Sequence, residues 1–434
     1  MKLRPFLSVL EEEGMLKRIT KPVDTNKEIA NILYTLNEQP TVFENVKGVD
    51  FPVFGGITSN RDIIATALET TKEELLFKLV DALQHPKTPP LVSNAACQEV
   101  VVNNPDLSKI PFLYHLDGDG GRYATATVCT IKDPETGRNL SYHRLMQTGK
   151  NTCTARLIKK RQTRTTYDKL EEDLEMAVCI GNSVATMIAA SLGPPPGVDE
   201  FTLAHALDDT PLVKCKTKDL EVPADSEFVL EGRLTKNVDR EGPFVDLTET
   251  RDFERQEPIF VIDCITHRKD AMYQCLIPGR FEHKTLMGMP KEPTIYKEVA
   301  QVATCTNVLV TLGGGSWLHS IVQIKKQHES EGKKAIEAAF KGHGSMKHVI
   351  VVDDDVDIYN PHAIEWAIAT RFQGHKDLYI YKDQPGSSLD PSGSHESGKK
   401  TLTTKVGVDA TIPSSIDKKN YEIVKYHPVN IDDY

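Results

Sequence analysis

Four short segments gather residue types that can do chemistry. The first is Asn139-Leu140-Ser141-Tyr142-His143-Arg144. On a strand, alternate side chains share a face, so Asn139, Ser141 and His143 point one way while Leu140, Tyr142 and Arg144 point the other. The second runs from Ala189-Ala190-Ser191-Leu192 through Gly193-Pro194-Pro195-Pro196-Gly197 to Val198-Asp199-Glu200. The third, Glu241-Gly242-Pro243-Phe244-Val245-Asp246, sets two carboxylates around a Gly-Pro. They either converge on one site or lie in a solvated loop, since Glu-Gly-Pro is most often a turn. The fourth, residues 282–293, reads EHKTLMGMPKEP, in which His283 and Lys284 suit a surface as well as a site. Two other runs invite chemistry. Residues 313–315 are GGG but lack the spacings of phosphate-binding loops. Asp353-Asp354-Asp355-Val356-Asp357 suggests a metal, yet it lacks the spacing of a calcium loop, and an acidic strand end is the alternative.

The elements that must hold these residues fall into three stretches. Residues 1–107 alternate helix-like and short strand-like runs, which predicts a small α/β domain. Residues 108–305 repeat short β-rich runs such as ATATVCTI, SYHRLMQT, EFVLEGRLT, IFVIDCITH and AMYQCLI, which predicts a barrel or sandwich core, with one helix over KLEEDLEMAVCIG. Residues 306–434 return to α/β. A long helix is expected over SIVQIKKQHESEGKKAIEAAF, and the apolar strand HVIVV ending in acids marks a buried parallel sheet. The polar tract PGSSLDPSGSHESGKK reads as a mobile loop.

Composition excludes several classes. A formal charge of −10 opposes general nucleic-acid binding. Hydrophobic content of 39% and charged content of 26% fit an ordinary globular protein with no membrane span. The eight cysteines are scattered singly, without the pairs of a zinc site, and no apolar signal region opens the chain, so a reducing cytoplasmic compartment is expected. One basic island, RLIKKRQTRTTYDK at 156–169, is either a solvated face or a place for an anion.

Taken in order, NLSYHR, GPPPGVDE, EGPFVD, EHKTLMGMPKEP, GGGSWLHSIVQI and KHVIVVDDDVDIYN…AIEWAIATR resemble the UbiD family of decarboxylases, over most of the chain. The phrase GSSLDPS…LTTKVGVDAT is similar to an archaeal branch associated with trans-anhydromevalonate 5-phosphate and the mevalonate route to isoprenoids. The resemblance implies an N-terminal α/β domain (1–107), a central flavin-reductase-like split β-barrel (108–305) and a C-terminal α/β domain (306–434) with an oligomerisation tail. It implies prenylated FMN, Mn²⁺ or Mg²⁺, and K⁺ as a monovalent companion.

By the same resemblance Arg144, Glu241 and Asp246 are catalytic. Asp246 stands where the family usually has Glu. Asn139 and Glu200 are metal ligands, joined by Gln162 where the family commonly has His. Asn139, Ser141, Gln162, the carbonyls near Ala189, Ala190 and Leu192, and Lys347 serve the cofactor and its cations. His283, Lys291 and Arg156 face substrate, and the basic run offers Arg156, Lys159, Lys160, Arg161 and Arg164 to a phosphate. The implied partners are a small carboxylic acid, phosphorylated in the branch reading, a flavin prenyltransferase that supplies the cofactor, and further copies of the chain. An aromatic or heteroaromatic acid decarboxylase and an inactive assembly subunit are the competing readings.

Overall fold

Period-two alternation dominates residues 123–267, and these residues build eight strands of a nine-stranded sheet in the computed structural model, which describes residues 1–396, 399–424 and 426–430. The chain divides into two units, Met1–Pro293 with Gly315–Trp317, and Thr294–Gly314 with Leu318–Tyr434.

In the first unit the sheet runs Tyr123–Ala124, Leu145–Gln147, Thr152–Ala155, Arg255–His267, Phe228–Glu241, Leu174–Ile180, Val128–Asp133, Gly137–Tyr142, and every pair is antiparallel. Val100–Val102 adds to Arg255–His267. Its strands carry the largest apolar core, with Val178, Ile180, Phe228, Leu230, Phe260 and Ile262 buried together. Such interior packing is the main favourable term in holding the sheet.

Two local expectations differ here. The stretch LEMAVCI is the strand Leu174–Ile180, not a helix, because its alternate apolar residues bury against Phe228–Glu241. The following VATMIAASL forms the helix Val184–Leu192, capped where Ser183 accepts from Thr186 N–H. Tyr273–Gln274, expected in the central sheet, instead pairs in parallel with Val53–Gly55 in a four-stranded N-terminal sheet.

The second unit holds a five-stranded mixed sheet in the order Cys305–Val310, His319–Ile324, His348–Asp353, Leu402–Asp409, Leu378–Pro385. The long helix expected here is two elements. Ile321, Val322 and Ile324 are β-branched and form the strand His319–Ile324, and only Glu331–Gly342 is helical. The polar tract 385–400, of which residues 397 and 398 lie outside the described residues, is tied down at Asp390, which accepts from Lys347 and Thr403. Residues 425 and 431–434 of the expected oligomerisation tail also lie outside the described residues. All eight cysteines are free thiols. No helix among the described residues is long and apolar enough to cross a membrane.

The acidic run at 353–357 has a structural explanation. Buried Arg371 donates to Asp353 at 3.2 Å and bidentately to Asp355 at 2.9 and 2.7 Å. Asp353 also accepts from Ile412 N–H, so the pair fastens the segment beyond the last strand. No cluster of three metal-ligating His, Cys, Asp or Glu occurs among the described residues. Removing Arg371 leaves Asp353 buried without its cation. Arg371→Ala is therefore expected to cost about 3–5 kcal/mol, read from the urea unfolding midpoint. A shift below 1 kcal/mol would refute the structural role.

Candidate active site

The site grows from the edge strand Gly137–Tyr142. Its alternation is as the spacing predicts. Ser141 Oγ meets His143 Nε2 at 3.1 Å, and Thr163 Oγ1 bridges His143 Nε2 at 3.0 Å and Asn139 Oδ1 at 3.3 Å. On the other face Tyr142 and Arg144 line a cavity of about 170 Å³.

Arg144 lies just past this strand, and Glu241 closes the long strand Phe228–Glu241. The guanidinium Nε and Nη2 donate to the two Glu241 oxygens at 2.7 and 2.9 Å, and Nη2 also reaches Asp252 at 3.1 Å. Burial disfavours the charged guanidinium, but the hydrogen bonds and charge of Glu241 overcome it and hold Arg144 above its ordinary value. The Tyr123 hydroxyl donates to Glu241 at 3.3 Å and accepts from Gly242 N–H. The chain turns at once after Glu241. Gly242 has φ +89°, and a Cβ there would lie 2.9 Å from the Phe253 carbonyl oxygen, so glycine is required. The Gly242–Pro243 bond is cis. The turn swings the Phe244 ring under the Arg144 guanidinium at 5.1 Å and carries Asp246 to the cavity. The two carboxylates of EGPFVD thus converge on Arg144 from one loop.

His283 enters the cavity from the helix Phe281–Gly288. Its Nδ1 accepts from Gly279 N–H at 2.9 Å, which leaves the proton on Nε2, and burial lowers its pKa. The helix start is held from far away. Buried Glu38 accepts from Phe281 N–H at 2.7 Å and Glu282 N–H at 2.9 Å. Buried Glu282 in turn accepts from Gly56 and Thr58 N–H. Burial pushes both carboxyls up, Glu282 to about 7.

Glu200 opens the helix Glu200–Leu207. Its carboxylate accepts from Asn139 Nδ2 at 3.0 Å and Leu140 N–H at 2.8 Å. Burial pushes it up to about 7, and no ion pair offsets its charge among the described residues. The Asn139 amide turns its nitrogen to Glu200 and its oxygen to Thr163, and the buried carboxylate and that amide oxygen are the kinds of donor a hard divalent cation takes. Ala189, Ala190 and Leu192 sit in the last turn of the helix Val184–Leu192, where carbonyls have no intrahelical partner. Those oxygens suit a monovalent cation.

Other expected residues lie elsewhere or have partners. Gln162 donates its amide N–H to Thr136, so the neighbour that reaches Asn139 is Thr163, one position on and without any signal in the sequence. Arg156 does line the cavity, but it is bonded to Glu257 at 2.5 Å, and Arg164 also reaches Glu257. Lys159, Lys160 and Arg161 are exposed. Lys284 pairs with Glu249. Lys347 belongs to the second unit, bonded there to Asp390 and Ser392. Lys291 is half-buried, with its ammonium 5.9 Å from the Trp317 ring centre.

A cavity walled by Phe244, Leu276 and Leu286, with one doubly braced arginine and a facing carboxylate, is the site of a carboxylate-handling enzyme. Three family profiles match in order. They are the 3-octaprenyl-4-hydroxybenzoate carboxy-lyase N-terminal domain at residues 7–83, its Rift-related domain at 91–281 and its C-terminal domain at 284–410. The chain belongs to the UbiD family of carboxy-lyases. Among relatives, it is 41% identical to anhydromevalonate phosphate decarboxylase of Methanothermobacter thermautotrophicus, covering 96% of this chain and 98% of that one. The Methanosarcina mazei protein of the same name is 40% identical over 97% and 98%. The structure of HmfF, a UbiD-class enzyme from Pelotomaculum thermopropionicum in complex with FMN, superposes with a TM-score of 0.94 at 36% identity over all of both chains. An evolved dimeric form of HmfF in complex with prFMN gives 0.91 at 35% identity, over 100% and 99%.

Because Glu241 is fully buried, truncating its partner should be felt by the fold as well as by the chemistry. Arg144→Ala is expected to cost about 3 kcal/mol, and Arg144→Met with Glu241→Leu to recover much of it, in urea titrations analysed as a double-mutant cycle. Additive losses would show that the two side chains do not act as a pair.

Proposed function

We propose that this protein decarboxylates trans-anhydromevalonate 5-phosphate to isopentenyl phosphate. The observation that carries the reading is the Arg144–Glu241 ion pair set beside Asp246 at the cavity wall, in a chain 41% identical to an enzyme of that name. In the reaction the bond between the carboxyl carbon and its α-carbon breaks, CO₂ leaves, and a proton takes its place on that carbon. Arg144 orients the carboxylate, and Glu241 holds the guanidinium in place. Asp246 donates the proton. Glu241, the other candidate, has both oxygens engaged by Arg144 and no exposed surface, which favours Asp246. His283, neutral with its Nε2–H free to donate, lies within the electrostatic reach of Asp246.

Prenylated FMN, when bound, supplies the electron sink that makes the cleavage feasible. Asn139 and Glu200 would hold the divalent cation, Mn²⁺ or Mg²⁺, with Ser141 beside them. The carbonyls of Ala189, Ala190 and Leu192 would hold K⁺. The UbiD-class HmfF structures with FMN and prFMN support a flavin in this fold. We also read the nine-stranded antiparallel sheet as a split β-barrel and the chain as three domains, 1–107, 108–305 and 306–434; a structure with flavin bound on that sheet tests this.

Two outcomes are expected. Protein co-expressed with a flavin prenyltransferase should turn over the phosphorylated acid with a higher kcat/KM than its dephosphorylated analogue or aromatic acids. Arg144→Ala should lose roughly 10²-fold or more in turnover. Preference for an aromatic or heteroaromatic acid would replace the substrate, and no turnover by flavin-loaded protein would favour an assembly subunit. The Glu200 carboxyl is raised to about 7, so it must lose a proton to bind metal. Mn²⁺ affinity of the apoprotein, followed by electron paramagnetic resonance, should therefore fall as pH drops below 7, and Glu200→Gln should abolish that affinity. A pH-independent affinity unchanged in the variant would remove Glu200 from the metal site.

A further inference from the structure

The chemistry above leaves Lys284 without a task. It directly follows His283 on the helix Phe281–Gly288 and is buried. Its ammonium pairs with the carboxylate of Glu249, which is 46% exposed. Water screens such a half-open pair, so it adds little to stability. Its meaning lies in what Glu249 is attached to.

Glu249 sits at the tip of a hairpin that starts and ends at the active site. Phe244–Val245 pairs with Arg251–Asp252, and Asp246 opens the loop 246–250 between them. The loop is tightly bonded to itself. Asp246 N–H donates to the Thr250 carbonyl at 3.0 Å, Glu249 N–H to the Asp246 carbonyl at 2.8 Å, and Leu247 N–H to Asp246 Oδ1 at 2.6 Å. Glu249 closes the turn with φ +62°, a left-handed conformation that a residue with a Cβ adopts at a cost. Glycine or asparagine fits that turn with less strain, and neither carries a carboxylate. Because one turn bonds Asp246 to Glu249, holding Glu249 in place holds Asp246.

The helix start meets this loop directly. A Cβ on Gly279 would lie 2.8 Å from the Asp246 carbonyl oxygen and 3.4 Å from Glu249 Cα. The same Gly279 gives its N–H to His283 Nδ1. Arg280 adds a second cation 3.5 Å from Glu249. The helix itself is already fastened to distant segments through Glu38 and Glu282. The base of the hairpin is fastened too, by Gly120 N–H on the Pro243 carbonyl and by Arg251 on the Asp117 carbonyl. The Lys284–Glu249 pair is an ionic tie at the tip. It joins the two elements that bring Asp246 and His283 to the cavity wall, while neither of its own residues lines that wall.

We propose that Lys284 and Glu249 are positioning residues, which fix the Asp246 turn against the His283 helix and so hold the Asp246 carboxyl where it delivers its proton. This rests on the reading of Asp246 as the proton donor. Opening the pair leaves Arg144 in place to bind the substrate carboxylate but lets the donor drift. A displacement of about 1 Å is enough to cost roughly a hundredfold in rate.

The test uses the flavin-loaded, full-length enzyme on trans-anhydromevalonate 5-phosphate, or on the aromatic acid that replaces it if the comparison of acids above so decides. Glu249→Gln, Lys284→Gln, the double variant and Lys284→Arg are compared with wild type, and Asp246→Asn serves as the reference for a lost donor. In Glu249→Gln and Lys284→Gln, kcat is expected to fall on the order of ten- to a hundredfold while KM stays within about twofold. The double variant should lose no more than the larger single loss, because one interaction is removed in all three. Lys284→Arg keeps the charge and should recover most of kcat. The solvent deuterium isotope effect on kcat should rise in the impaired variants as proton delivery becomes the slow step, which a loss of folded protein alone does not produce. Glu249 is exposed, so its variant keeps the test available even if Lys284→Gln folds poorly. Equal falls in kcat and bound flavin at an unchanged isotope effect would show a purely structural pair and overturn the proposal. Unchanged kcat in Glu249→Gln beside an inactive Asp246→Asn would also overturn it and leave the donor reading standing. A fully active Asp246→Asn would remove the donor reading and the proposal together.

Discussion

The bidentate ion pair between Arg144 and Glu241 is the constraint around which the first unit is arranged. A charged pair taken out of water is favourable only when its geometry is good and its remaining hydrogen-bonding positions are met. Here both Glu241 oxygens meet the guanidinium, Tyr123 adds a hydroxyl, and Asp252 takes the remaining guanidinium edge, itself held by Arg255. The Phe244 ring closes one face. Tyr123, Glu241 and Arg255 come from three strands of the antiparallel sheet, while Phe244 and Asp252 face each other in a separate two-stranded ribbon. Two strands separate Phe228–Glu241 from Gly137–Tyr142 in the sheet order, and the hydrogen bonds of Arg144 to Glu241 bridge that separation at the strand ends, where the chain turns at Gly242.

This arrangement separates two carboxylates that look alike in sequence. Glu241 is spent on the arginine and sealed from solvent. Asp246 lies past the glycine turn, on the cavity wall, with one oxygen receiving Leu247 N–H. Environment sets the same functional group in two different positions, one a buried counter-ion and the other a carboxylate on the cavity wall.

Much of this was legible because it is local. Alternation along Asn139–Arg144 sorts six side chains onto two faces, and the Gly-Pro between Glu241 and Asp246 signals a tight reversal. What could not be read depends on contacts between distant residues. Nothing in the sequence marks Thr163; in the fold the start of the helix Gln162–Lys169 turns Gln162 to Thr136 and Thr163 to Asn139. The basic run looks open until Glu257, on another strand, is found beneath it. The acidic run 353–357 looks like a metal site until Arg371, one helix later, occupies it. The helix read over SIVQI failed for a simpler reason. Its charged continuation has helical composition, and three β-branched residues outweigh that once a neighbouring strand is available.

The helix that carries His283 has its first N–H groups satisfied by Glu38, 243 and 244 positions earlier in the chain. Glu282 returns the favour by bonding Gly56 and Thr58. During synthesis the N-terminal segment therefore waits through more than half of translation before its counterpart emerges. Neither carboxylate can be buried with its donors until then, and contacts of such span are slow to close. A nascent chain stalled before residue 281 has Arg144, Glu241 and Asp246 but lacks His283 and the helix that carries it. The pocket wall is complete only when residues 281–288 meet the segment from Glu38 to Thr58.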